Sequence, residues 1–179
     1  MENQRVRLSK KMLKEALIQL LQKKTIEKIT IYELCDAAQI NRTTFYKYYG
    51  NQYDLLDEIE NEFFGDLEKY LLMEDQVEYD SIVSVLEYLE SEQEKCKVLI
   101  NSVPDQVFAE KLFGLPAIRT LVKNHTPGRY TENEEEYFVL FFCQGGYAII
   151  RKWLNKENRE PPEEIAKLII ALDTIYGKK

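Results

Sequence analysis

Apolar residues recur at three- and four-residue spacing along almost the whole chain, and no sustained alternation of period two interrupts them. This spacing places apolar side chains on one face of a helix, so the sequence predicts an all-α protein. The first predicted helix begins after Ser9 as its N-cap and ends near Lys23. Its apolar stripe consists of Leu13, Ala16, Leu17, Leu20 and Leu21.

Two short helices are predicted between residues 30 and 50. Thr30 and Glu33 match the Ser/Thr-x-x-Glu capping box, in which each side chain binds the backbone N–H of the other residue. This second helix ends near Ala38, and Asn41 is the predicted N-cap of a third helix, "RTTFYKYY", which Gly50 ends.

The rest of the chain continues in longer helices. Asn51 caps a fourth helix with an inward face of Leu55, Leu56, Ile59, Phe63, Leu67 and Leu71. Shorter helical segments are predicted at 80–93, 94–101, 105–113 and 116–124. A second capping box, Thr131 with Glu134, opens a helix that ends near Leu154. The last helix begins at Pro161–Pro162 and is expected to bury Ile165, Leu168, Ile169, Leu172 and Ile175.

The charge of the chain is unevenly distributed. Residues 1–49 carry ten Lys or Arg against five Asp or Glu, a balance of +5, whereas the total is −7 and the remainder therefore carries −12. A basic head on an acidic body indicates that the head contacts a polyanion. Lys10, Lys11 and Lys14 lie near the predicted start of the first helix, where the helix dipole disfavours cations, and a nearby phosphate backbone would explain them.

Several classes of protein lack support in the sequence. No apolar run is long enough to span a membrane and no signal peptide is evident, so we expect a cytoplasmic protein. Three separated cysteines and one histidine predict neither disulfides nor a metal site, and no cofactor is expected. No glycine-rich phosphate loop or nucleophile motif is present, so we do not expect an enzyme.

The second and third helices, joined by a tight turn, have the spacing of a helix-turn-helix, whose second helix enters the major groove of DNA. Ile40 and Phe45 are predicted to pack inward. The outward side chains are then Arg42, Thr43, Thr44, Tyr46, Lys47 and Tyr48. Many helical proteins contain such corners without binding DNA, but exposed tyrosines usually mark an interface.

The stretch "KITIYELCDAAQINRTTFYKYYGNQYDLL" resembles the DNA-binding region of the tetracycline-repressor (TetR/AcrR) family of bacterial transcriptional regulators. The resemblance covers the first four helices, from about Leu8 to Phe64. It implies a DNA-binding domain at 1–50 and a helical effector-binding and dimerisation domain at 51–179. Such regulators commonly repress transcription.

The resemblance also implies roles for individual residues. Arg42 and Thr43 would reach base edges. Phosphates would be bound by Thr44, Tyr46 and Tyr48, and Lys47 would contact either a phosphate or a base. Thr30 would offer its backbone N–H to a phosphate, and Tyr32 would reach a base or the backbone.

Two residues depart from the family pattern. Gln39 stands where glycine is usual in the turn, so the turn either accepts a left-handed residue or has another shape. Gln52, a further DNA-contact candidate at the start of the fourth helix, replaces a usual lysine. These departures leave open an alternative, a TetR-like sensing or protein-interaction module that has lost specific DNA binding.

The expected partners follow from the same resemblance. A homodimer formed through the last two helices, with Gly145–Gly146 permitting close approach, would bind a palindromic double-stranded operator. A small-molecule effector would bind inside the C-terminal body. Its candidate lining residues are Phe63, Tyr88, Phe108, Phe113, Tyr137, Phe141 and Trp153, which an ordinary hydrophobic core explains equally well.

Overall fold

The computed structural model of the chain describes residues 4–71, 78–102, 108, 111–112, 114–118, 120 and 131–177. All regular elements in these ranges are helical, as the apolar spacing predicted. The helices are α1 (Gln4–Leu21), α2 (Ile31–Ala37), α3 (Arg42–Phe45), α4 (Gln52–Leu71), α5 (Glu78–Ser91), α6 (Gln93–Ser102), α7 (Glu132–Leu154) and α8 (Pro162–Gly177). A 3₁₀ turn, Ile26–Lys28, precedes α2.

The described residues form two compact units that divide within α4, one up to Phe63 and one from Phe64 onward. The predicted domain boundary after residue 50 stays a prediction. The first unit contains α1 to α3 and the beginning of α4. The core of this unit consists of side chains that are fully buried: Leu13, Leu17, Ile29, Leu34, Phe45, Leu55 and Ile59.

The start of α1 differs from the prediction. The helix begins at Gln4, so Ser9 lies inside it and is not an N-cap. The segment before Ser9 contains neither proline nor glycine, and a serine within such a sequence is a weak signal for a helix start. The lysines that were assigned to the beginning of the helix therefore lie within it.

Two of these lysines, Lys10 and Lys14, contact carboxylates on α4, whereas Lys11 contacts Glu15 on α1 itself. Lys14 Nζ lies 2.7 Å from Glu58 Oε1 and 2.5 Å from Glu62 Oε1, and Lys10 Nζ lies 3.4 Å from Glu58 Oε2. Burial alone would lower the pKa of Lys14, but the hydrogen bonds to Glu58 and Glu62 outweigh it and raise the pKa. Lys10 and Lys14 therefore need no phosphate to explain their position, because α4 supplies negative partners for both.

The second unit packs α8 against α5 and α6 against α7. Its core includes Leu86, Leu99, Trp153 and Leu154, all essentially inaccessible to solvent. Trp153 Nε1 donates a hydrogen bond to the Glu160 carbonyl oxygen at 2.8 Å, which ties the end of α7 to the chain leading into α8. This hydrogen bond thus fixes the buried Trp153 side chain close to the connection between the last two helices.

Some details of the second unit were predicted correctly and others were not. Thr131 donates its N–H to Glu134 Oε2 at 2.7 Å, which confirms the capping box of α7. Leu71 is only partly buried and Leu168 is 46% exposed, contrary to the predicted inward faces of α4 and α8. The side chain of Ile175 and much of the predicted segments 105–113 and 116–124 lie outside the described residues.

Within the described ranges, no helix is long and apolar enough to cross a membrane. The same part of the chain contains no group of three His, Cys, Asp or Glu residues that could hold a metal ion. Cys35, Cys96 and Cys143 are buried cysteines that are not part of a disulfide.

Candidate nucleic-acid interface

The N-terminus of α2 is fixed by the predicted capping box. Glu33 N donates to Thr30 Oγ1 at 3.2 Å, and Thr30 N and Oγ1 donate to Glu33 Oε2 at 3.1 and 2.9 Å. Lys24 Nζ contacts Glu33 Oε1 at 2.6 Å, and this hydrogen bond together with those from Thr30 lowers the pKa of Glu33 to about 2. The Thr30 N–H that was predicted to bind a phosphate is therefore donated to Glu33 instead.

The turn between α2 and α3 has the geometry that glycine usually provides. Gln39 has φ 54°, in the left-handed region, which confirms the first of the two expectations for this residue. Ile40 N donates to Cys35 O at 2.9 Å and Gln39 N to Asp36 O at 3.1 Å, the two hydrogen bonds of a Schellman motif around the C-cap Ala38. Gln39 Nε2 also donates to Asp36 O at 2.8 Å. The departure from glycine thus preserves the turn.

The recognition segment, Arg42–Tyr49, begins as α3 and continues as a series of turns. Asn41 occupies the N-cap position, although its side chain makes no capping hydrogen bond. The α-helix ends at Phe45 rather than at Gly50, because the following N–H groups bond three residues back as well as four. Tyr49 N still reaches Phe45 O at 3.0 Å. The segment therefore remains compact beyond the end of α3.

Two aromatic side chains anchor this segment in the core of the first unit, to which it belongs. Phe45 is fully buried and Tyr49 is 4% exposed, with ring centroids 5.6 Å apart. The side chains of Arg42, Thr43, Tyr46 and Lys47 are exposed, whereas those of Thr44 and Tyr48 are partly buried. The predicted outward face is therefore present, with Thr44 and Tyr48 at its margins.

A surface depression of about 320 Å³ lies between α2 and the recognition segment. Its lining residues are Tyr32, Cys35, Asp36, Gln39, Ile40, Asn41 and Arg42. It brings together Tyr32, 66% exposed, and Arg42, two predicted DNA-contact residues from different helices. Burial raises the pKa of the Cys35 thiol although the charge of Arg42 acts in the opposite direction, so this cysteine stays protonated at neutral pH.

Sequence reasoning missed Asp36 as a member of this surface. Asp36 is exposed and lies one helical turn after Tyr32, so the i, i+4 spacing on α2 was the available signal. At the beginning of α4, Asn51 Oδ1 accepts the N–H groups of Tyr53 at 2.8 Å and Asp54 at 3.1 Å, which confirms the predicted cap. Gln52 is the first residue of α4 and is partly buried.

The predicted effector residues differ in their exposure to solvent. Phe63, Phe108 and Trp153 are buried, and Tyr88 is partly buried with its hydroxyl 3.5 Å from Asp66 Oδ2. Phe113 lies outside the described residues. Burial suits both an ordinary core residue and a residue that lines an interior pocket, so the assignment of Phe63, Phe108 and Trp153 to an effector site stays a prediction.

Tyr137 and Phe141 are 73% and 59% exposed on α7, so their assignment to an interior pocket is corrected. An aromatic residue in a helical sequence pattern indicates a covered face without indicating which chain covers it. Further along α7, a groove of about 450 Å³ is lined by Gln144, Tyr147, Ala148, Arg151, Lys152, Asn155 and Lys156.

Comparisons with known proteins agree with this architecture. The TetR_C_8 family model, described as a transcriptional regulator C-terminal region, matches residues 78–172. Similar folds include a TetR transcriptional regulator from Streptococcus agalactiae, with TM-score 0.76, 22% identity and coverage of 94% of this chain and 95% of that chain. The dihydroxyacetone kinase operon activator DhaS has TM-score 0.60, 21% identity and coverage of 94% and 95%. A TetR transcriptional regulator from a Rhodococcus species has TM-score 0.56, 16% identity and coverage of 94% and 97%. No curated protein sequence matches the chain.

Proposed function

Because the chain belongs to the TetR family of transcriptional regulators, its general role is DNA-binding regulation, and we propose that it is a homodimeric repressor of a palindromic operator. Regulators of this family bind DNA and dimerise, and they are generally not enzymes. In this proposal a small effector binds the second unit and releases the DNA, and the protein acts in the cytoplasm.

The observation that carries the proposal is the arrangement of the recognition segment. Its outward side chains can donate hydrogen bonds, while Phe45 and Tyr49 hold the segment from behind. Arg42 has the planar, bidentate donor geometry that recognises guanine O6 and N7 in the major groove. Tyr46 and Lys47 are exposed one turn further along and suit contacts with phosphate oxygens.

A second copy of the chain is proposed to cover the exposed face of α7. Tyr137, Leu140 and Phe141 follow helical i, i+3, i+4 spacing and are 73%, 55% and 59% exposed. Gly145 and Gly146 continue the helix with open space where a Cβ would stand. Large apolar side chains grouped on one helix face indicate an interface, and Leu168 on α8 adds a further exposed apolar side chain. Such a dimer would place two recognition segments about 34 Å apart, one turn of DNA.

The direction of regulation is proposed from the usual behaviour of the family. One protein of similar fold is named an operon activator, so activation is the second candidate. Transcription from the native promoter in a reporter strain, with and without the gene for this protein, distinguishes the two. Repression raises reporter output when the gene is removed, whereas activation lowers it.

The alternative of a module without DNA binding rested on the two departures from the family pattern. The Gln39 turn keeps the hydrogen bonds of a Schellman motif, so this departure gives the alternative little weight. Gln52 still lacks the charge of a lysine, and we expect this to reduce affinity without changing base preference.

The test is fluorescence anisotropy of the full-length protein with duplexes from the DNA flanking its gene, at two salt concentrations. Arg42→Ala is expected to weaken specific binding by about 1–3 kcal/mol, because a bidentate base contact is lost. Tyr46→Phe should weaken binding to specific and scrambled duplexes alike. Lys69→Ala is the charge-matched control, since Lys69 is exposed on α4 in the second unit. Wild-type affinity for the native site in both Arg42→Ala and Tyr46→Phe would show that this segment does not enter the groove.

A further inference from the structure

The depression beside the recognition segment contains one acidic side chain, that of Asp36. It is lined on one side by Tyr32 and on the other by Arg42, both proposed to contact DNA. The hydrogen bonds that Asp36 receives within the turn use its backbone carbonyl, which accepts from Gln39 N and Nε2. Among the residues that the structure describes, neither a hydrogen bond nor an ion pair engages the Asp36 carboxylate.

A carboxylate at this position is unfavourable for two independent reasons. Asp36 lies in the last turn of α2, where the helix dipole disfavours negative charge, and this turn contains no basic residue. It also lies on a surface proposed to approach the DNA backbone, where phosphates repel a carboxylate whatever the base sequence. A favourable contact made only on the correct DNA would offset both effects.

We propose that Asp36 is a specificity-determining residue that accepts a hydrogen bond from the amino group of a cytosine in the major groove, next to the guanine contacted by Arg42. This inference rests on the proposed DNA-binding function. The choice of base follows from the groove edges of the four bases. Guanine and thymine present acceptors that repel a carboxylate, and adenine presents its N7 acceptor beside its amino donor, whereas cytosine presents a donor alone.

Arg42 and Asp36 thus recognise complementary base edges from one surface. The guanidinium donates to a base edge rich in acceptors, and the carboxylate accepts from a base edge that only donates. Because α2 and the recognition segment each contribute one of the two side chains, the Gln39 turn sets their separation.

The experiment is selection of preferred half-sites from a library of duplexes by the full-length wild type, followed by affinity measurements on single-base variants of the selected site. Three variants are compared with it: Asp36→Asn, Asp36→Ala and Glu15→Gln. Glu15 is exposed on α1 and pairs with Lys11, so its variant removes the same charge away from the depression. Circular dichroism confirms that each variant is folded.

The wild type should prefer cytosine at one position of each half-site by about tenfold. Asp36→Asn should change that preference to adenine, because an amide pairs with adenine N6 and N7, and Asp36→Ala should abolish it. Glu15→Gln should leave the preference unchanged. The inference is overturned if Asp36→Asn raises the affinity for all duplexes equally and keeps every base preference, since the carboxylate would then act by repulsion alone. A wild type without any sequence preference would instead overturn the proposed function, and this inference with it.

Discussion

The left-handed backbone at Gln39 predicts the sign of the stability difference between a glycine and an alanine at this position. In a helix interior, alanine stabilises a protein by about 0.5–1 kcal/mol more than glycine does, because glycine loses more backbone freedom on folding. At φ 54° the order should reverse, since a Cβ contacts the following carbonyl oxygen in this conformation. Gln39→Gly should therefore be more stable than Gln39→Ala.

The magnitude follows from the contacts of this residue. Both variants lose the exposed hydrogen bond from Gln39 Nε2 to Asp36 O, which contributes about 0.5 kcal/mol. The glycine variant also gains about 1–2 kcal/mol from relief of the left-handed strain, reduced by its entropic cost of about 0.5–1 kcal/mol. We expect Gln39→Gly to exceed Gln39→Ala by about 1 kcal/mol and to be close to wild type.

Urea unfolding measures this difference. Circular dichroism follows the helices of both units, and the fluorescence of Trp153, the single tryptophan of the chain, follows the second unit. The urea midpoint of the transition that includes the first unit should be higher for Gln39→Gly than for Gln39→Ala. Glu15→Ala and Glu15→Gly provide the reference pair in an exposed part of α1, where alanine should be the more stable.

The reasoning is refuted if alanine is more stable than glycine at both positions. That result would mean that residue 39 does not adopt the left-handed conformation in solution. A second readout is DNA binding: the hydrogen bond from Ile40 N to Cys35 O does not involve the Gln39 side chain, so Gln39→Gly should bind the operator as the wild type does.

Three further predictions concern charge and assembly. Glu33→Gln should be less stable than wild type at pH 7 in urea unfolding. Because the folded-state pKa of Glu33 is lowered to about 2, its stabilisation is complete above about pH 4.5. The difference in unfolding free energy between wild type and variant should therefore close as the pH falls towards 2. A gap that did not change with pH would contradict the role of this carboxylate. Glu58→Gln should cost about 1 kcal/mol at pH 7, because Lys14 then retains only Glu62, whereas the exposed Glu15→Gln should cost almost nothing by the same assay. Phe141→Glu should raise the dimer dissociation constant at least about tenfold in sedimentation equilibrium by burying a charge, and equal dimerisation of wild type and variant would remove α7 from the interface.

Much of the fold was predictable because its signals are local. The capping boxes of α2 and α7 and the cap at Asn51 depend on residues within four positions of one another, and each is confirmed. The start of α1 was missed because a serine has no capping role once the residues before it are helical. The length of α3 was overestimated because the N–H groups beyond Phe45 bond three residues back as well as four, which the spacing of side chains in the sequence does not indicate.

The candidate site was only partly predictable for a related reason. The outward orientation of Arg42 and Tyr46 followed from helical spacing, whereas the place of Asp36 required knowledge of how α2 and the recognition segment pack together. The interior assignment of Tyr137 and Phe141 was wrong because hydrophobicity reports that a side chain avoids water. It does not report whether the protection comes from the same chain or from another.

The attachment of the recognition segment through Phe45 and Tyr49 has a consequence for how such a regulator diversifies. The residues that face outward contribute little to the core, so they can be exchanged in evolution or in the laboratory with little loss of stability. After gene duplication, a copy could therefore acquire a new operator while retaining its original fold. Altered base preference and foldedness are separable properties in this protein, and a library randomised at Arg42, Thr43 and Lys47 should yield many folded members.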